Sequence, residues 1–158
     1  MVRMGELAVS ASADEVLVSI GLGSCIGVAL FDVRRPIVGL AHVMLPAAEA
    51  PSGPVAKFAN FAVPALVEEV KELGATRLEA VLVGGAQMFS FSREDGANIG
   101  ARNDGAVREE LDRLRIPVRA AATGGSRGRT VRVYVDGVRV TAREVAGAEQ
   151  QLYGREAP

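Results

Sequence analysis

Two apolar runs in the first third of the chain predict paired strands of a sheet. Residues 25–31 and 37–45 are apolar at almost every position, and residues 16–20 precede them as a run rich in β-branched side chains. Neither long run alternates between apolar and polar positions, so both faces of these strands are expected to be buried. The charged residues 32–35, followed by Pro36, separate the two runs and predict the turn of a hairpin.

Further along the chain, the apolar positions change to a helical period. Side chains between Phe58 and Leu73 recur three and four residues apart, which predicts a helix. Pro64 falls inside this segment, and the pattern allows either a kink at Pro64 or a helix that begins there. A short charged helix is predicted over residues 106–114. A third helix is predicted over residues 141–152, because Thr and Glu have the spacing of a capping box at its start.

The order of these elements predicts one α+β domain. Asp136-Gly137 lies between two runs of β-branched residues and predicts a tight hairpin. The six or more strands and about three helices occur in clusters rather than in alternation, which is typical of mixed, largely antiparallel β-sheets flanked by helices. A length of 158 residues is that of a single domain spanning residues 1–158.

Charge and hydropathy exclude several partners. The chain has 18 basic and 19 acidic side chains, a net charge of −1, and only 5 Phe, 2 Tyr and no Trp. Neither an attractive field nor a base-stacking surface for nucleic acid is therefore expected. The longest uncharged run, residues 16–31, is shorter than the roughly 18–20 residues that a membrane helix needs. The first residues lack the apolar stretch of a secretion signal, so we expect a cytoplasmic protein that does not insert into membranes.

The chain has one cysteine, Cys25, and one histidine, His42. A disulfide within the chain is excluded, and one thiolate with one imidazole is too few for a zinc site, which takes about four such ligands. We expect neither a metal nor a cofactor.

The predicted hairpin brings Cys25 and His42 together. A four-residue turn over residues 32–35 makes Phe31 face Pro36, and each outward step then pairs further residues until Cys25 lies opposite His42. Directly opposed side chains of an antiparallel pair have Cβ atoms ~4.5–5.5 Å apart, which is within reach of a thiol–imidazole hydrogen bond. A turn one residue longer or shorter would shift this pairing.

A thiol beside an imidazole is a candidate nucleophile. The thiol, with an ordinary pKa of ~8.5, is mostly protonated at neutral pH, and a neighbouring imidazole can accept its proton. Cys25 also follows a glycine-containing turn, so the backbone N–H groups of Ser24 and Cys25 could stabilise a developing oxyanion. From these residues alone, an inert buried cysteine and an ordinary core histidine remain equally open.

Six short blocks stand in order along the chain: GLGSC at 21–25, GLAHVMLP at 39–46, KFA at 57–59, GGAQMF at 84–89, IGARN at 99–103 and GGSRGR at 124–129. Together with the spacing between Cys25 and His42, these blocks resemble the CheD family of chemoreceptor glutamine deamidases. The resemblance runs from about Gly5 to Thr141.

The resemblance implies a cysteine-hydrolase fold and an enzyme that deamidates selected glutamines on the cytoplasmic helices of chemotaxis receptors through a thioester. It implies that Cys25 is the nucleophile and that His42 is the general base and acid. The family's third residue, a threonine, falls on Ser19. Serine retains a hydroxyl that can orient His42 but lacks the methyl group that restricts the rotamer.

The resemblance also implies two kinds of partner, the chemotaxis receptors and a CheC-type phosphatase. Arg102, Arg127 and Arg129 are candidates to bind acidic segments of the receptor. Two other functions remain open. One is a binding module for the receptor or the phosphatase with little or no catalysis, and the other is a different thiol hydrolase, such as an acyl thioesterase or a transglutaminase-like amidase.

Overall fold

The computed structural model describes residues 1–88 and 98–154. This part of the chain forms two sheets and two helices, and both helices pack on the first sheet. The strands are β1 (Leu7–Ser10), β2 (Val16–Leu22), β3 (Ile26–Asp32), β4 (Val38–Val43), β5 (Leu78–Gly84), β6 (Val118–Thr123), β7 (Arg129–Tyr134), β8 (Arg139–Glu144) and β9 (Glu149–Tyr153), and the helices are α1 (Ala59–Glu72) and α2 (Ile99–Arg113).

The first sheet lies in the middle of the fold. Its strand order is β1-β4-β3-β5-β6, and all its pairs are antiparallel except β5 with β6. Helices α1 and α2 cover one face, and the antiparallel sheet β2-β7-β8-β9 covers the other. Every residue of β3 and β4 is buried. The predicted α+β class and the prediction that these strands are covered on both faces are therefore confirmed.

The register of the β3–β4 hairpin differs from the prediction. Gly27, not Cys25, lies opposite His42. The turn begins one residue later than predicted because Asp32 stays in the strand and its carboxylate organises the turn. Asp32 Oδ1 accepts hydrogen bonds from the backbone N–H groups of Arg34 at 2.7 Å and Arg35 at 2.9 Å. Cys25 is thus two residues before the residue that faces His42, and the predicted direct pairing is wrong.

The first two helices are present, with different bounds. Helix α1 begins at Ala59 and continues through Pro64, so the helix does not begin at the proline. Helix α2 begins at Ile99, seven residues before the predicted start, and buries one stripe of side chains at helical spacing: Gly100, Asn103, Val107 and Leu111. No helix in the described ranges is long and apolar enough to cross a membrane.

The third predicted helix is wrong, and its residues form strands β8 and β9. The Asp-Gly hairpin was predicted correctly, and it pairs β7 with β8 along the whole length of both strands. This pairing holds Thr141 in an extended backbone, where its Oγ1 donates to a Glu149 carboxylate oxygen at 2.7 Å instead of capping a helix. Strand β9 then pairs with β8. Two helices, rather than about three, are present in the described residues.

Candidate active site

Cys25 lies at the bend between β2 and β3, where the chain passes from the second sheet to the first. Its side chain is half-buried. The bend is held by the segment after β5: Gly85 N–H donates to the Cys25 carbonyl at 2.8 Å, and Ala86 N–H donates to the Gly23 carbonyl at 2.8 Å. The position of Cys25 is therefore fixed by backbone contacts on its carbonyl side.

The two glycines after β5 are required by this close approach. A Cβ on Gly84 would collide with the Cys25 carbonyl oxygen, and a Cβ on Gly85 would lie 2.8 Å from Ile26 Cδ1. Both glycines also have positive φ angles of 117° and 64°, which L side chains rarely adopt. Close backbone packing against the Cys25 bend therefore accounts for both glycines.

His42 lies on β4 and is buried, and the N-terminal segment crosses it. Gly5 N–H donates to the His42 carbonyl at 2.9 Å, and His42 N–H donates to the Glu6 carbonyl at 2.9 Å. The ring Nδ1 lies 3.4 Å from the Val2 carbonyl oxygen. Because a carbonyl oxygen only accepts, this contact places the proton on Nδ1 and the lone pair on Nε2. Nε2 has no hydrogen-bond partner among the described residues.

Ser19 lies on β2 and is fully buried. Its Oγ donates to the same Val2 carbonyl oxygen at 2.7 Å. Ser19 and His42 are therefore connected through this oxygen, and no hydrogen bond joins them directly in the described part of the chain. No sequence pattern predicts this role for Val2, because the contact uses a backbone atom.

Cys25, His42 and Ser19 face the layer between the two sheets. Leu40 packs in the core cluster of this layer, and His42 is the next residue on the same face of β4. Leu17 packs in the same cluster, and Ser19 is the next residue on that face of β2. Cys25 also packs against this cluster. The three residues that the sequence singled out therefore face the same layer, His42 from the first sheet, Ser19 from the second, and Cys25 from the bend between them.

The new register makes Cys25 and His42 diagonal neighbours rather than direct ones. Cys25 lies one residue beyond the last pair of this ladder, Ile26 with Val43. Diagonal positions on one face of a continuous ladder have Cα atoms ~7–8 Å apart and Cβ atoms somewhat closer, which a long side chain such as histidine can span. The residue directly opposite His42 is Gly27. No side chain at that position comes between them.

Burial keeps both groups neutral in the resting site. Burial raises the pKa of the Cys25 thiol above its ordinary value. Burial also lowers the pKa of His42 below its ordinary 6.5, and the Val2 hydrogen bond and the charge of Glu6 oppose this shift only in part. At neutral pH both shifts favour a neutral thiol and a neutral imidazole over a thiolate–imidazolium pair.

The backbone around Cys25 offers hydrogen-bond donors. Over residues 1–88 and 98–154, the N–H groups of Ser24 and Cys25 donate no hydrogen bond to another part of the chain. Both residues are half-buried rather than deeply buried. These N–H groups can therefore bind an anionic oxygen that forms beside the Cys25 sulfur.

The three candidate arginines occupy different environments. Arg102 and Arg127 are exposed. Arg129 is buried, and its guanidinium donates to the carbonyls of Gly84 at 3.2 Å and Gly124 at 2.7 Å. It also pairs with Glu144 at 3.0 Å. With these three partners, we expect Arg129 to support the loops beside Cys25 rather than to contact a substrate.

The chain matches a family model described as "CheD chemotactic sensory transduction" over residues 44–144. This match covers most of the chain but begins two residues after His42. Matches to individual proteins extend the similarity over a larger share of the chain.

Three relatives carry closely similar names. A protein of Thermotoga maritima named "Chemoreceptor glutamine deamidase CheD" is 41% identical over 152 residues, which cover 95% of this chain and 94% of that protein. Two proteins named "Probable chemoreceptor glutamine deamidase CheD" are also similar. The protein of Geobacillus kaustophilus is 44% identical over 84% of this chain and 87% of its own length. The protein of Haloarcula marismortui is 45% identical over 77% of this chain and 71% of its own length.

Proposed function

Because this chain belongs to the CheD family, we propose that it is a protein-glutamine deamidase that converts selected glutamine side chains of chemotaxis receptors to glutamate. The strongest structural support is the arrangement of Cys25 and His42. Both face the same layer, and the lone pair of His42 Nε2 has no partner among the described residues. A base held in this tautomer can accept one proton from the thiol.

The first chemical step is attack by a neutral thiol with concerted loss of its proton. The Cys25 sulfur forms a bond to the glutamine carboxamide carbon, and the thiol proton moves to His42 Nε2. The carbonyl electron pair moves onto oxygen, and the backbone N–H groups of Ser24 and Cys25 bind the resulting oxyanion. The carbonyl of Val2 stabilises the imidazolium that forms, because it accepts a hydrogen bond from Nδ1–H.

The second half of the reaction returns the enzyme to its resting state. The imidazolium of His42 donates its Nε2 proton to the carboxamide nitrogen, and the C–N bond breaks. Ammonia leaves, and a thioester between the substrate and Cys25 remains. His42 then accepts a proton from water, whose oxygen attacks the thioester carbon. The C–S bond breaks, the thiol regains a proton, and the product is a glutamate side chain.

The surroundings of Cys25 fit a substrate side chain that projects from a folded surface. Ile20 is an exposed apolar residue of β2, and Val145 is one in the turn after β8. Met88 is an exposed residue that packs beside Gly23. We propose that these residues contact a receptor helix, with Arg127 available for its acidic positions. The reaction then takes place in the cytoplasm, where the modified receptor helices lie, and a CheC-type phosphatase is a second candidate partner.

The function is tested by incubating the purified chain with the cytoplasmic domain of a chemotaxis receptor. We expect ammonia release and a mass increase of about 1 Da for each modified glutamine, located by peptide mass spectrometry, since deamidation replaces NH₂ by OH. Tight binding without any mass change would instead support a binding module. Turnover of thioesters or esters, but not of receptor carboxamides, would support a different thiol hydrolase.

A Ser19→Ala variant is expected to lower kcat roughly tenfold, the effect of one lost hydrogen bond. The variant removes one of the two groups that hold the Val2 carbonyl oxygen, and His42 then has a less rigid partner. Ser19→Thr retains the hydroxyl and is expected to retain the rate.

The matched control for this variant is Ser10→Ala, which alters another buried strand serine, whose Oγ accepts a hydrogen bond from the Ser12 N–H. We measure initial rates of ammonia release for all three variants and for the unmodified chain. Equal rates for Ser19→Ala and Ser10→Ala would contradict a role for Ser19 in holding His42.

A further inference from the structure

Asn103 is a fully buried polar residue that the proposed mechanism does not use. It lies on the buried stripe of α2, where its neighbours one turn away are Gly100 and Val107. A polar side chain on a stripe that is otherwise small or apolar calls for a specific reason, because burial of an amide is unfavourable unless its hydrogen bonds are made.

The amide group of Asn103 joins the two segments that carry Cys25 and His42. Its Nδ2 donates one hydrogen bond to the Ser24 carbonyl at 2.9 Å and another to the Met44 carbonyl at 2.9 Å. Ser24 immediately precedes Cys25, and Met44 follows His42 by two residues. Both amide protons are therefore used, one on each side of the candidate site.

These bonds lie where the sheet itself no longer connects the two segments. The last paired residues of the β3–β4 ladder at this end are Ile26 and Val43. One residue further, the chain on one side turns into the bend at Cys25, and on the other side Met44 N–H donates to the Lys57 carbonyl. Asn103 thus provides the connection that the next pair of the ladder would have made.

The orientation of the amide indicates that this connection explains why an asparagine stands at position 103. Since the two carbonyls only accept, the NH₂ group must face them, and Oδ1 then points away. Oδ1 is buried and has no hydrogen-bond partner among the described residues. An apolar side chain would fill the same space without an unsatisfied oxygen, so packing alone does not account for asparagine here.

We propose that Asn103 is a positioning residue that sets the separation of Cys25 and His42 by holding the Ser24 and Met44 carbonyls on one amide group. This role rests on the proposed function, because it concerns the geometry of the same thiol and imidazole. Asn103 contacts neither reacting group and acts only through the backbone on either side of them.

Loss of the amide is expected to separate the two groups without unfolding the chain. In Asn103→Ala, the vacated space is lined by two carbonyl oxygens, and a site with such polar partners can hold a water molecule. The Cys25 bend then loses one support on α2 but keeps its bonds to the segment after β5. A displacement of about 1 Å between reacting groups can lower a rate by roughly 10²-fold.

Asn60→Ala is the matched control. Asn60 also lies on a helix and also holds a backbone segment with two hydrogen bonds, between its Nδ2 and the Ala48 carbonyl at 2.8 Å and between Ala48 N–H and its Oδ1 at 3.1 Å. It contacts neither the Ser24 nor the Met44 carbonyl. The two variants therefore remove the same type of clamp, and only one of them adjoins Cys25 and His42.

Two readouts are measured for each folded variant, at a temperature below the midpoint of its thermal unfolding. For Asn103→Ala, we expect kcat for receptor deamidation to fall by about 10–100-fold, with KM changed by less than about threefold. We also expect the unique thiol to react faster with iodoacetamide, because the released bend exposes Cys25. Asn60→Ala is expected to change neither readout. Asn103→Ser retains one hydrogen-bond donor and needs less rearrangement. Its kcat and alkylation rate are expected to lie between those of the unmodified chain and Asn103→Ala, and it replaces Asn103→Ala in the test if that variant does not fold.

The two arms separate failure of this inference from failure of the proposed function. If kcat and thiol reactivity of Asn103→Ala equal those of Asn60→Ala, the positioning role is overturned, whatever the substrate. If the unmodified chain deamidates no receptor, the proposed function fails. The iodoacetamide rates alone then decide whether Asn103 holds the Cys25 segment.

Discussion

A Cys25→Ser variant is expected to lose receptor deamidation by a factor of roughly 10⁴ or more. A serine hydroxyl is nearly the same size as the thiol but is a far weaker acid. Its proton would have to be removed by a base no stronger than an ordinary histidine. His42 is such a base, because burial lowers its pKa. The hydroxyl therefore cannot replace the sulfur, and the measurement is ammonia release together with the mass of receptor peptides.

The single cysteine makes a chemical control possible. Cys25 is the only thiol that iodoacetamide can alkylate, so the chain alkylated at Cys25 should be as inactive as Cys25→Ser while keeping the same circular dichroism spectrum and unfolding midpoint. If Cys25→Ala or the fully alkylated chain still converted glutamine to glutamate, Cys25 would not be the nucleophile. The family assignment would remain, but the proposed mechanism would be wrong.

A His42→Gln variant is expected to lower kcat by about 10²–10⁴, the range for loss of a general acid–base catalyst. Glutamine has an amide that can donate to the Val2 carbonyl, but it cannot accept and return a proton. The backbone bonds of residue 42 with Gly5 and Glu6 remain. Retention of the full rate in this variant would mean that another group, or water, removes the thiol proton.

The pH dependence of the unmodified chain provides an independent test of His42. The reaction needs neutral His42, and the pKa of His42 in the folded chain lies below its ordinary 6.5. The rate should therefore decrease toward acid with its midpoint below pH 6.5, as the pH passes through the lowered pKa of His42. The acidic decrease should be absent from the residual rate of His42→Gln. A decrease already complete above pH 6.5 would contradict the neutral pair.

The paired strands and the general class of the fold could be predicted because their signals are local. The apolar runs of β3 and β4 carry the whole pattern of strands buried on both faces, and Asp136-Gly137 carries the turn between β7 and β8. The C-terminal helix could not be predicted in this way. The capping-box spacing at Thr141 is real, but tertiary pairing with β7 and β9 overrides it.

The sequence supplied candidate residues for the site, but the register predicted between them is wrong. Cys25, His42 and Ser19 came from the resemblance and from the uniqueness of the two titratable side chains. The register between them depends on Asp32, whose Oδ2 accepts the N–H of Thr76 at 2.7 Å, a residue 44 positions away. A contact of that sequence separation leaves no periodic signal. Asn103 did leave one, as the polar member of a helical stripe, but only once α2 is known to begin at Ile99.

The oxygen shared by Ser19 and His42 belongs to the main chain of Val2. Every residue type has a backbone carbonyl and could supply the same atom. An alignment of homologues would therefore register only a preference for a buried apolar side chain at this position. Alanine scanning would find no partner to delete. Replacing the Val2–Arg3 peptide by an ester weakens the carbonyl as an acceptor without altering either side chain, and it also removes the Arg3 N–H that donates to Glu6 Oε2. Compared with a Glu6→Gln chain, such a replacement would make the contribution of the carbonyl visible.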